Sequence, residues 1–139
     1  MTKEEAKQQL EAFFRTLGIE AAVPDEKNHV QARVGESVLG FEYDEADGSL
    51  SCQALIYRFR REPRDEILDA LFAAESETNN GGGRIVFDSE AFSLYLQRDF
   101  TEKTDERLFY EQVNRLARAS LEWNGEIVGQ AAAQVSSAR

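Results

Sequence analysis

Cysteine and histidine are almost missing from this 139-residue chain, which has one of each, Cys52 and His29. A single cysteine excludes an intrachain disulfide framework and any cysteine-cluster zinc site. A single histidine excludes a histidine-rich metal centre, and a histidine-assisted nucleophile would have to be built around His29, with Cys52 as its only thiol candidate. Long apolar runs are missing too. None approaches the roughly 20 residues of a membrane span, so no membrane insertion is expected. The opening Met1-Thr-Lys-Glu-Glu5 lacks the basic-then-apolar order of a signal peptide, and the expected location is a reducing cytoplasm. Basic residues are scarce: 16 Lys and Arg stand against 26 Asp and Glu, a net charge of −10. A field of that sign repels phosphate backbones, so nucleic acid is not an expected partner.

What is present suits one domain with a core of its own, since 42% of the residues are hydrophobic and 10% aromatic. Thr2-Lys-Glu-Glu5 reads as a capping box, and Ala6, Leu10, Phe13, Phe14 and Leu17 fall on one helical stripe ending at Gly18, which predicts a helix over about 3–17. Val30, Ala32 and Val34 alternate with polar residues, and Gly35-Glu36 allows a turn into a second strand, Val38 to Tyr43. Asp47-Gly48 is a hairpin signal. The strand after it, Leu50 to Phe59, has apolar residues on both faces: Leu50, Cys52, Ala54 and Ile56 on one, Leu55, Tyr57 and Phe59 on the other. Each face is therefore expected to be at least partly covered, by this chain or by another. Pro63 suits the first turn of a second helix, whose Ile67, Leu68, Leu71, Phe72 and Ala74 span a wide arc. Thr78 to Gly83 reads as a polar, flexible connector. Ile85 to Phe87 and Phe92 to Leu96 predict a hairpin, and Phe109, Val113, Leu116, Ala117, Ser120 and Trp123 share the stripe of a third helix over about 104–124. The order α-β-β-β-α-β-β-α, with connections too short for parallel crossovers, predicts a single α+β domain over 1–125 with a twisted antiparallel sheet packed by helices. Residues 126–139 are expected to form a flexible or weakly helical tail.

Catalytic patterns are lacking. The glycines at 81–83 precede a strand, whereas a phosphate cradle follows one and opens a helix. Asp44, Glu45 and Asp47 do not fit a calcium loop, because with Gly48 in sixth place Tyr43 takes the first ligand position and Ala54 the twelfth. Cys52 sits in an alternating apolar pattern, where a small buried hydrophobe is expected. No catalytic residue, metal or cofactor is expected, and the chain reads as a binding protein rather than an enzyme. Arg58, Arg60, Arg61 and Arg64 read either as a solvated strand end and helix start or as a docking spot for an acidic partner. The apolar faces of the first helix, the third strand and the second helix either meet in one well-filled core or supply a homodimer contact and a groove for an apolar segment.

Four stretches carry a resemblance to a known family: Leu10-Glu-Ala-Phe-Phe-Arg-Thr-Leu-Gly18; the strands turning at Asp44-Glu-Ala-Asp-Gly48 into Leu50-Ser-Cys-Gln-Ala-Leu55; Ile67-Leu-Asp-Ala-Leu-Phe-Ala-Ala74 with Gly82-Gly83 and Ile85-Val-Phe-Asp88; and Leu108 to Trp123. Together with the element order, length and acidity, they resemble the type III secretion chaperones of the Tir chaperone (CesT) family over about residues 6–124. Two features depart from the family pattern: Glu75 lies near a frequent asparagine, and the tail beyond Gly125 has no clear counterpart. The resemblance implies a cytoplasmic homodimer that binds the extended N-terminal segment of a secreted effector and keeps it soluble and export-competent without hydrolysing ATP. The alternative is a chaperone-like domain with a regulatory or assembly role outside a secretion system. By the same resemblance, Phe13, Phe14, Leu39, Phe41, Leu55 and Tyr57 are expected to supply groove contacts. Leu68, Leu71, Phe72 and Val86 are expected to support the dimer.

Overall fold

A computed structural model describes residues 1–19 and 29–137. Helix α1 (Lys3–Leu17) begins with both bonds of the capping box: the Glu5 amide donates to Thr2 Oγ1 at 3.1 Å and the Thr2 amide donates to Glu5 Oε1 at 2.9 Å. It ends at Gly18, whose φ of 73° is the left-handed conformation that closes a helix. Five strands follow in two groups: β1 (His29–Val34), β2 (Ser37–Asp44) and β3 (Ser49–Arg58), then, after α2 (Asp65–Ala73), β4 (Arg84–Asp88) and β5 (Ser93–Phe100). They form one antiparallel sheet in the order β1-β2-β3-β5-β4. The late hairpin thus pairs through β5 with β3 and leaves β1 and β4 at the edges. Helix α3 (Glu106–Glu122) packs across β2, β3 and β5, and α1 packs against α3 with its Phe13 and Phe14 reaching Phe41 of β2.

The chain does not stop at Gly125. Residues Trp123–Ile127 form a π-helical turn, and a regular helix, α4 (Val128–Ser137), occupies the stretch expected to be flexible or weakly helical. Helix α4 packs against α2 and buries Ala131. Small side chains let the two helix backbones come close, and they give the wide apolar arc of α2 an intramolecular neighbour. Pro63 lies just ahead of α2, whose N-cap is Arg64.

One sheet face carries the core. Val30, Leu39, Phe41, Leu50, Cys52, Ala54, Ile56, Ile85, Leu94, Leu96 and Phe100 are buried there with Phe13 and Phe14 of α1 and Phe109, Val113 and Leu116 of α3. Aromatic rings meet edge-on at its centre, with Phe13 5.5 Å from Phe41 and 5.7 Å from Phe109, Phe14 6.0 Å from Phe41, and Phe100 4.9 Å from Phe109. Such pairs add about 0.5–1.5 kcal/mol each beyond their burial. The buried Gln9 spans a junction, its Oε1 accepting the Thr104 amide at 2.8 Å just before α3.

The glycine-rich segment is packed, not a flexible connector. Gly81 and Gly82 have φ of 62° and 85°, and a β-carbon on Gly83 would stand 2.5 Å from the Gln97 carbonyl oxygen and 2.8 Å from Leu116 Cδ1. Only a chain without side chains passes between β5 and α3 here. Glu75 secures the same segment by accepting from the Asn80 side-chain amide (3.3 Å) and from the backbone amide of Ile85 on edge strand β4 (3.0 Å).

Candidate partner-binding surface

The alternation that buries one sheet face lays the other out in three rows. The strand register aligns His29, Glu42, Ser51 and Asp99 in the first, and Gln31, Gly40, Gln53, Gln97 and Arg84 in the second. The third contains Arg33 opposite Val38, then Leu55, Tyr95 and Val86 side by side. None of these residues is buried; each is half-buried or exposed.

Polarity divides this face. In the first two rows the side chains bond to one another: Ser51 Oγ donates to Asp99 at 2.7 Å, Gln53 to Gln97 at 2.9 Å, Gln97 to Asp99 at 3.0 Å, and Arg84 pairs with Asp99 at 3.0 Å. Partial burial works against the Asp99 carboxylate, but the hydrogen bonds from Ser51, Gln97 and Arg84 outweigh it and hold this carboxyl below its ordinary range. In the third row, Val38, Leu55, Tyr95 and Val86 form an apolar band with no such bonds. An apolar patch bordered by polar side chains is a layout that protein interfaces share.

At the end of β3 the ladder slips between Leu55 and Tyr57. A period of two cannot forecast this bulge, which keeps Ile56 buried while leaving Tyr57 40% exposed. The Ile56 carbonyl accepts from the Asn124 side chain at 2.8 Å, so the π-helical turn supports the bulge directly. Tyr57 packs edge-on against Phe59 at 4.8 Å, and Phe59 lies 6.3 Å from Phe87.

Four of the expected groove residues are not at the surface. Phe13, Phe14, Leu39 and Phe41 are at most 3% exposed, closed in by this chain's own α1, α3 and sheet. Leu71, expected at a dimer contact, is likewise wholly buried on the inner side of α2. Leu68 is half-buried and Phe72 is 46% exposed on α2. Leu55, expected in a groove, and Val86, expected in a dimer contact, flank Tyr95 in one row, so the two roles fall on a single surface. Tyr95 itself was missed, because a lone tyrosine in a short strand gives no sign of the face it takes.

Reactive chemistry is not gathered anywhere among the described residues. Cys52 is fully buried and desolvation pushes its thiol pKa far upward, away from the thiolate a nucleophile needs. His29 leans over Gly40 at an edge strand, 3.2 Å from where a β-carbon would stand. Among the described residues, no His, Cys, Asp or Glu side chains are grouped to hold a metal ion, and no helix is long and apolar enough to cross a membrane.

No protein-family model matches the chain, and no curated protein does. Solved structures do match. A chain of the ExsC–ExsE complex superposes with a TM-score of 0.73 at 12% identity, over 91% of this chain and 96% of that one. A chain of the HopA1–SchA chaperone–effector complex gives 0.66 at 17%, over 87% and 94%. A third match is with the complex of the Yersinia pestis type III secretion chaperone SycH with a fragment of YscM2, at 0.59 and 15%, over 84% and 98%. The chain is thus a single α+β domain with a fold like that of type III secretion chaperones. At these identities the likeness is one of fold, and it does not single out the Tir chaperone (CesT) family.

Proposed function

We propose that this protein is a non-catalytic binding protein of the type III secretion chaperone kind, which holds the extended N-terminal segment of a secreted effector soluble and competent for export. The observation that carries this reading is the half-open sheet. One face is closed by helices, the other pairs an apolar band with a satisfied polar network, and chaperone–effector complexes share the fold. The band offers a second copy a seam, and an extended client can lie along the exposed surface beside it, docking strands and short apolar anchors without folding. The acidic surface keeps a protein with exposed apolar residues soluble.

In this reading the protein works in the cytoplasm as a homodimer. Leu55, Tyr95 and Val86 form the seam with a second copy, supported by Leu68 and Phe72 on α2, and the exposed Tyr57 meets the client. The test is capture from a native extract in which the client is expressed, with the mass of the complex read by light scattering. Two copies of the 15.7 kDa chain holding one secreted protein by its N-terminal segment is the expected result. A clean monomer that captures nothing would overturn the proposal. A dimer without a client would point to a regulatory or assembly role instead.

A further inference from the structure

The segment Arg58-Phe-Arg-Arg-Glu-Pro-Arg64 has the opposite charge to the rest of the protein. Its four arginines against Glu62 give it +3, which leaves the other 132 residues at −13 on a chain of net charge −10. All four arginines are exposed. Arg58 donates through Nε to Ser93 Oγ at 3.1 Å, while the guanidinium groups of Arg60, Arg61 and Arg64 make no ion pair or hydrogen bond with any described residue. Nearby carboxylates are engaged elsewhere. Asp65 and Glu66 sit in the first turn of α2, where the helix dipole favours negative charge, and Asp88 accepts the amides of Glu90 and Ala91.

The guanidinium groups alternate in sequence with two aromatic residues that follow the bulge, the exposed Tyr57 and the half-buried Phe59: Tyr57, Arg58, Phe59, Arg60. Phe59 packs between Tyr57 and Phe87 at 4.8 and 6.3 Å, and Tyr57 stays 40% exposed. Such a surface offers two kinds of recognition within a few residues. Guanidinium forks take carboxylates in a paired geometry, and aromatic faces take apolar side chains. A solvated strand end would need neither the exposed tyrosine nor a sign reversal this sharp.

We infer that this patch docks an acidic segment of the client in which carboxylates alternate with aromatic or aliphatic side chains. The inference rests on the chaperone reading for the identity of the partner, and it adds the chemistry of the segment and the place where it is held. The remainder of the surface repels such a segment, so charge would orient the client as well as attract it.

The test uses the full chain and two labelled 16-residue peptides, one alternating Asp and Glu with Leu and Phe, the other with Asn and Gln in place of the acids. Fluorescence anisotropy at low salt should give at least tenfold tighter binding of the acidic peptide, with the advantage shrinking at 300 mM salt. The variant Arg60→Gln/Arg61→Gln/Arg64→Gln should lose that advantage while keeping the wild-type circular dichroism, and Tyr57→Ser should weaken both peptides. Equal binding of the two peptides, or an unchanged preference in the triple variant, would overturn the inference. So would competition of equal strength from phosphatidylglycerol vesicles or duplex DNA, which would mark a general anion surface, or dissociation of a dimer by the triple substitution, which would make the occupant a second copy. The two readings fail separately. A client captured equally by wild type and triple variant removes this docking site and leaves the chaperone reading. An intact preference for the acidic peptide in a chain that captures no client does the reverse.

Discussion

The two faces of the sheet are built from the same strands, yet neighbouring residues on β3 have opposite fates. Cys52 and Ala54 are fully buried under α3, while their neighbours Ser51, Gln53 and Leu55 remain partly in solvent. On the closed face, cohesion comes from aromatic and aliphatic packing with few polar atoms to satisfy. On the open face it comes from side-chain hydrogen bonds, across and along the strands, that bind Ser51, Gln53, Gln97, Asp99 and Arg84 into one network. The contrast teaches that apolar residues here serve two ends. Those the helices cover hold the fold, and the few left in the third row and on the outer side of α2 remain partly in solvent.

The sharpest way to break that division is to put charge on the closed side. Phe14→Glu should leave the chain unfolded, because a carboxylate at a 2% exposed site has no partner, and the loss will show as the disappearance of the cooperative denaturation transition. Phe41→Ala keeps the site apolar and should cost about 3–5 kcal/mol in urea unfolding, from lost burial plus the cavity left behind. Gly83→Ala tests the seam between the glycine segment and α3. Its β-carbon would meet the Gln97 carbonyl at 2.5 Å, and the backbone shift needed should lower stability by about 1–3 kcal/mol.

On the open side the effects on folding should be smaller and the effects on assembly larger. Leu55→Asp is expected to change unfolding free energy by about 1 kcal/mol or less, while sedimentation moves from a dimer to a single chain. A variant that unfolds instead would move Leu55 into the core. The smallest effect lies at Asp99. Its folded pKa is depressed below the ordinary value of about 3.9, so the carboxylate stabilises the fold above that pH and the contribution is lost as pH falls through the folded pKa. The side chain is largely solvated, so a few tenths of a kcal/mol is the expected scale. Asp99→Asn should lower the urea midpoint slightly at pH 7, and the gap to wild type should narrow by pH 2–3.

Much of the architecture was legible before any coordinates. The capping box at Thr2, the stop at Gly18 and the turns at Gly35 and Gly48 are local devices, and each appears where the residues put it. The bulge at Ile56 was not legible, because it depends on how β5 aligns with β3 and on Asn124 arriving from the π-helical turn to take the freed carbonyl. The packing of Gly81 to Gly83 was also hidden. Three glycines in a row give the same signal whether they swing free or thread between a strand and a helix. Phe13 and Phe14 misled for a related reason, since adjacent aromatics on a helix look surplus until Phe41 and Phe109 are seen meeting them.

Periodicity and turn chemistry act over a few residues, so the sequence by itself determined the number, type and order of the elements through Trp123, the antiparallel pairing of neighbouring strands and the acidity of the surface. Which face of each strand is closed, where the second hairpin joins the sheet and which phenylalanines remain inside are matters of long-range packing. They were decided only when α3 crossed β2, β3 and β5, because an apolar side chain is satisfied by any apolar neighbour and carries no mark of which one it will meet.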